Sequence, residues 1–167
     1  MENFRIIAIC ESEAEPWFED ARVKTCATIL QRCSAAQERL NSLIKFVQFK
    51  IPLAQIVSEP AESAARFPAL DALRSLIEDT DTDFEDNRLR IIVKKQEHLW
   101  QEGVRASRFL SGPLQTSNEK NEGDEAASDA RGDAFVPIGS SHYTAGKWGR
   151  YVRAPDFHFE VMREFGF

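Results

Sequence analysis

Two adjacent rings, Trp17 and Phe18 in the stretch WFEDAR, occupy a polar turn between two apolar runs. A ring carried at the end of a sheet can pack beneath its own strands. It can also offer its face to a nucleic-acid base, a stacking contact worth about 1–3 kcal/mol. Spacing alone leaves both readings open. Further along, Lys147, Arg150 and Arg153 interleave with Trp148 and Tyr151 in GKWGRYVR, and Arg88, Arg90, Lys94 and Lys95 flank the run IIV. Cations mixed with rings suit a DNA backbone, because the cations neutralise phosphates while the rings pack on sugars. The other reading of each group is a solvated face.

Other chemistry finds little support. His98, His142 and His158 are scattered and have no second ligand at helical or hairpin spacing, so no metal site is assigned. Cys10, Cys26 and Cys33 lack any CxxC spacing and read as small buried hydrophobes. No serine sits in a GxSxG elbow, and no catalytic residue is assigned.

The elements that must position these residues are legible as apolar runs. Phe4 to Cys10 (FRIIAIC) and Val23 to Arg32 (VKTCATILQR) read as strands on either side of the WFEDAR turn. Leu43 to Lys50 alternates Ile44, Phe46 and Gln48 against Lys45, Val47 and Phe49, predicting a third strand ended by Pro52 and adjacent to the first two. Ala64, Phe67, Leu70, Leu73 and Ile77 recur at helical spacing over residues 63–77, with Pro68 expected to kink that helix or mark its start. DTDTDFEDN is expected as a loop, Arg88 to Lys95 as a fourth strand, and QEHLWQEG as a short helix ending near Gly103. Asp156 can cap a last helix reaching about Phe165.

A chain of 167 residues with 43% hydrophobic and 29% charged content suits one modest core. Its net charge of −6 argues against an overall nucleic-acid footprint, but the charge is uneven. Residues 111–141 are rich in small and acidic side chains, too polar to order themselves, and are expected as a flexible acidic linker. The longest apolar runs, Ile6 to Cys10 and Cys26 to Leu30, fall far short of the about 20 residues that span a bilayer, and the N-terminus carries acids instead of a signal region. The expectation is a cytoplasmic protein with no membrane partner.

The order strand, WF, short polar turn, VKTCATILQR, then a KFVQFK strand resembles the gamma-class N6-adenine-specific DNA methyltransferases of restriction-modification and phage-defence systems. The segment AGKWGRYVRAPDFHFEVM is similar to theirs as well. The likeness runs from Arg5 to Lys50 and from Ala145 to Met162, and is loose between them. It implies an α/β fold: part of a Rossmann-like sheet, with a terminal antiparallel hairpin, added strands and flanking helices. It implies that Phe18 stacks on the flipped target adenine and that Arg22 lies near the base or its phosphate. Lys147, Trp148, Arg150, Tyr151 and Arg153 would contact DNA. The physical logic agrees, since an exocyclic amine inside a duplex must be extruded and held between ring faces before it is methylated.

The family's Asn/Asp-Pro-Pro-aromatic tetrapeptide is absent, as no Pro-Pro occurs, and no GxG turn is present to admit S-adenosylmethionine. Both are expected before residue 1 in a full-length relative. Residues 1–110 are therefore read as the C-terminal portion of a methyltransferase-like catalytic domain, 111–141 as linker, and 142–167 as lead-in to a DNA target-recognition region. The chain binds no cofactor itself in this reading, and S-adenosylmethionine belongs to the complete enzyme. Its partners would be DNA and a methyltransferase N-terminal half, and it would not be catalytic alone. The other reading is a non-catalytic interaction module, or a split subunit completing a partner chain, which an unpaired edge on the first strand would favour.

Overall fold

The computed structural model describes residues 3–17, 25–57, 63–110 and 148–165. Phe18, Arg22, Lys147 and the 111–141 segment lie outside the described residues, as does His142.

The apolar runs form one mixed, open, five-stranded sheet with flanking helices, an α/β architecture. Strand β1 (Phe4–Ser12) pairs antiparallel with β2 (Cys26–Arg32) and parallel with β3 (Leu43–Phe49). β5 (Leu89–Lys95) runs antiparallel to β3, and the two-residue β4 (Phe84–Glu85) closes the far side, giving the order β2-β1-β3-β5-β4. The hairpin expected around WFEDAR is thus present, and the first three strands are neighbours. The edge is not where an unpaired first strand would put it. β1 is interior, and the edges are β2 and β4.

β3 departs from simple alternation, being buried on both faces. Ile44 and Phe46 enter a core with Ile6, Ile92 and Leu99, while Val47 and Phe49 enter a second core with Ala8, Cys10, Leu89 and Ile91. The polar members of the strand are buried too, because each finds a partner: Lys45 meets Asp81 at 3.5 Å and Gln48 donates to Glu13 at 3.1 Å. A buried polar group is tolerated where its hydrogen bond survives.

Helix α1 (Ala36–Asn41) links β2 to β3, and α2 (Leu53–Ile56) follows β3. Neither was expected from periodicity, since one or two turns leave no pattern to read. Helix α3 (Ser63–Asp79) runs through Pro68 and ends close to its expected limit. Leu73, Leu76 and Ile77 pack on the second core, whereas Phe67 and Leu70 face solvent. β4 arises within the expected loop. Helix α4 (Gln96–Leu110) continues past Gly103, its expected end, because Val104 is buried with Leu99 and Trp100 and tertiary packing outweighs the weak helix propensity of glycine.

The last described segment holds α5 (Gly149–Arg153) and α6 (Asp156–Phe165). Tyr151, Val152 and Phe159 join the first core with Ile6, Ile44 and Phe46. Each such side chain stabilises the fold by about 1.5–3 kcal/mol on burial. Asp156 is the first residue of α6, and its carboxylate is engaged by Lys50 and Arg90.

One side chain substitutes for sheet backbone. β1 pairs with β3 only from Ala8 onward, so the inner edge of Phe4 and Ile6 lacks a strand partner. Gln96, fully buried at the start of α4, fills the gap: its Oε1 accepts from Ile6 N–H at 2.9 Å and its Nε2 donates to the Phe4 carbonyl at 3.1 Å.

Candidate functional site

The parallel strands β1 and β3 end side by side, and the residues beyond them gather at this carboxyl end. The Glu13 N–H donates to the Phe49 carbonyl at 2.9 Å, prolonging the pairing into the turn. Trp17 then folds back onto the second core, its ring 6.5 Å from that of Phe49. Trp17 therefore takes the packing role of the two weighed for this pair. Its neighbour Phe18 and the basic Arg22 lie outside the described residues.

The basic-aromatic segment reaches the same end from the opposite face. The Arg153 Nε–H is shared between the two carboxylate oxygens of buried Glu11 at the end of β1, at 2.8 and 2.9 Å. Arg90, in β5, is 1% exposed; it donates to the Val152 and Ala154 carbonyls at 3.2 and 2.7 Å, pairs with Asp156, and lies 4.3 Å over the Phe159 ring. Lys50, just past β3, joins Glu85 at 2.5 Å and Asp156 at 2.9 Å. The Lys50 hydrogen bond leads in holding the Asp156 carboxyl below the usual carboxylate range. Burial alone would lower Lys50, but its bonds to Glu85 and Asp156 prevail and raise it.

The remaining DNA-contact candidates are spread over this corner. Arg150 donates to Glu102 of α4 at 2.9 Å and to the Tyr151 hydroxyl at 2.7 Å. Tyr151 is 7% exposed, with its ring on Phe46 and its hydroxyl donating to Glu102 at 2.7 Å. Burial, followed by the Glu102 bond, pushes that hydroxyl up to about 12. Trp148 is half-buried and lines an apolar trough of about 290 Å³ with Ile6, Ile9, Phe46 and Val152, with Glu11 and Arg153 also in its wall. Arg150 and Arg153 remain largely exposed although paired, whereas Tyr151 is committed to the core. Of the second basic group, Arg88 pairs with Asp86 and Lys95 with Glu97.

The chain matches no protein-family model, no curated protein and no solved structure.

Among the described residues no three His, Cys, Asp or Glu side chains converge as metal ligands. His98 is exposed, and His158 lies edge-on to Phe159. Burial raises the Cys10 thiol to about 11, which keeps it protonated and unreactive. The corner is therefore a set of mutually neutralised ion pairs that fasten α5 and α6 to the sheet end and leave Arg150 and Arg153 at the surface. Sequence reading missed Glu11, Glu102 and Gln96, isolated polar residues whose partners lie far away along the chain.

Proposed function

We propose that this chain is the target-base-holding and DNA-contacting part of a site-specific adenine DNA methyltransferase of the restriction-modification or phage-defence kind, and is not catalytic alone. One observation supports the reading above the others. Trp17, which opens WFEDAR, and Arg153, which closes GKWGRYVR, are far apart in sequence yet meet the same carboxyl end of β1 and β3, by Trp17 on Phe49 and by Arg153 on Glu11. Ligands of open α/β sheets bind outside that end of the strands. Phe18 is the stacking residue, Arg22, Lys147, Arg150 and Arg153 neutralise phosphate, and Trp148 supports the segment. Tyr151 acts from the core, holding Arg150 through Glu102. The sheet is the terminal part of a Rossmann-like methyltransferase domain, and the protein works in the cytoplasm; no described helix is long and apolar enough to cross a membrane. The catalytic tetrapeptide and the S-adenosylmethionine site belong to another α/β half.

Labelled methyl transfer tests this reading. The 167-residue chain alone should transfer nothing to adenine-containing DNA, whereas the chain combined with the catalytic half of a gamma-class enzyme should. Phe18→Ala in that combined enzyme should lower transfer about five- to a hundredfold, the loss of a stacking contact of about 1–3 kcal/mol, with an unchanged melting temperature. Transfer by the isolated chain, or a Phe18→Ala enzyme that melts early, would remove the reading.

A further inference from the structure

The sheet is covered unevenly. α5 and α6 lie over β1, β3 and β5 on one face, and α3 covers the other, yet all seven residues of β2 are exposed. Ile29 is 48% and Leu30 51% exposed, in a strand whose pairing register is otherwise regular from Ala8 to Glu11. Ile29 pairs with Ala8 and so shares the α3 face, while Thr28 pairs with Ile9 and shares the α5 face. β2 is thus bare on both faces, and it has no strand on its outer side among the described residues. On the α5 face the bareness continues inward, because Cys26 and Thr28 form one wall of the apolar trough whose other wall is Trp148 and Val152. The strand carries a single charge, Arg32 at its end, and none of the prolines or central lysines that normally guard an edge.

We infer that β2 is the docking strand for a folded α/β domain, which adds its own edge strand to β2 and lays a helix over each face, one of them in the trough beside α5. This is a statement about the shape of the partner and does not require DNA; only the choice of probe below rests on the methyltransferase reading.

Other occupants fail on coverage. An extended peptide would satisfy the outer backbone groups and leave Ile29 and Leu30 wet. A second copy of this chain would bring another β2 that is also bare, so the pair would share only a ribbon about 23 Å long and about 5 Å wide. A stable interface takes about 800 Å² from each partner, which a seven-residue ribbon cannot supply. A strand flanked by helices on both sides supplies it by covering both faces and the trough together.

The probe is a separately expressed catalytic half of a gamma-class adenine methyltransferase, mixed with the intact chain. Sedimentation should give a 1:1 complex, with β2 amides slowed in hydrogen exchange when the complex forms. Thr28→Lys and Ile29→Lys, one on each face, should each weaken the complex about tenfold or more, because each buries an unpaired ammonium. Both positions are exposed in the free chain, so its thermal melt should stay close to that of the native chain. Two results would each overturn the inference: a complex that leaves β2 unprotected and ignores both variants, or self-association of the chain through β2. Methyl transfer read on the same samples separates the two ideas. A β2-dependent complex without transfer keeps the docking strand and removes the methyltransferase reading, whereas transfer without β2 protection does the reverse.

Discussion

The two edges of this sheet are built in opposite ways. β4 is two residues long and flanked by acids: Asp83 accepts from the Val93 N–H at 2.8 Å, and Asp86 accepts from the Arg88 and Leu89 N–H groups at 2.7 and 2.9 Å. Side chains thereby take up donors of β5 and its preceding turn that the two-residue β4 leaves unpaired, and Glu85 is tied to Lys50. β2 at the other edge is seven residues long, nearly uncharged and bare. An edge ended by carboxylates stops a sheet, whereas a long apolar edge lets it continue. The molecule therefore has a finished side, where charge fastens the last helices, and an unfinished one.

Substitution should expose that asymmetry most strongly within the finished side. Ile91, fully buried in β5, should cost about 3 kcal/mol when replaced by alanine, through lost burial and the cavity left behind. Urea unfolding measures it, and a cost near zero would mean that the β5 side is not the stable core.

A smaller effect is expected at the charge network. Asp156→Ala leaves buried Arg90 with two carbonyls and the Phe159 ring but no counter-charge there, and should cost about 2 kcal/mol, below the about 3–5 kcal/mol of a fully buried pair because Asp156 is partly exposed. The Lys50 bond to the same carboxylate sets a pH dependence. Because folding lowers the Asp156 carboxyl, its contribution is complete above the ordinary carboxylate pKa and disappears as pH falls through the lowered folded value. Folding raises Lys50, so its share is complete below the ordinary lysine pKa and is lost as pH rises through the raised one. Melting temperature against pH should fall on the acid side in the native chain and less steeply in Asp156→Asn; identical acid limbs would dismiss the network.

The smallest effect belongs to the unfinished side. Ile29→Ala should change the stability of the free chain by less than about 1 kcal/mol, since half of the side chain is already in water. A cost equal to that of Ile91→Ala in the same urea series would mean that β2 is covered in solution and would erase the contrast between the edges.

The sequence made some of this legible and hid the rest for definite reasons. The hairpin could be read because two β-branched runs bracket a polar turn, and α6 because Asp156 is a residue type that starts helices. The burial of β3 on both faces could not, as Lys45 and Gln48 look like solvent positions until Asp81 and Glu13, 36 and 35 residues away, are brought beside them. The GKWGRYVR pattern advertises a basic surface, yet its cations meet Glu102 and Glu11 at separations of 48 and 142 residues. Local pattern reveals which elements form. It does not reveal which charges those elements will neutralise.

The bond from Arg153 to Glu11 closes a loop of 142 residues and so fixes an order of events during synthesis. At about 5–20 residues per second, β1 has left the ribosome for on the order of 10 s before Arg153 exists to meet it. Through that interval the Phe46 and Ile6 face waits without Tyr151, Val152 and Phe159, and the nascent sheet is open on that face as well as at β2. The closing step is the arrival of α5 and α6, and a ribosome stalled before residue 148 would hold a sheet with no lid on its first core.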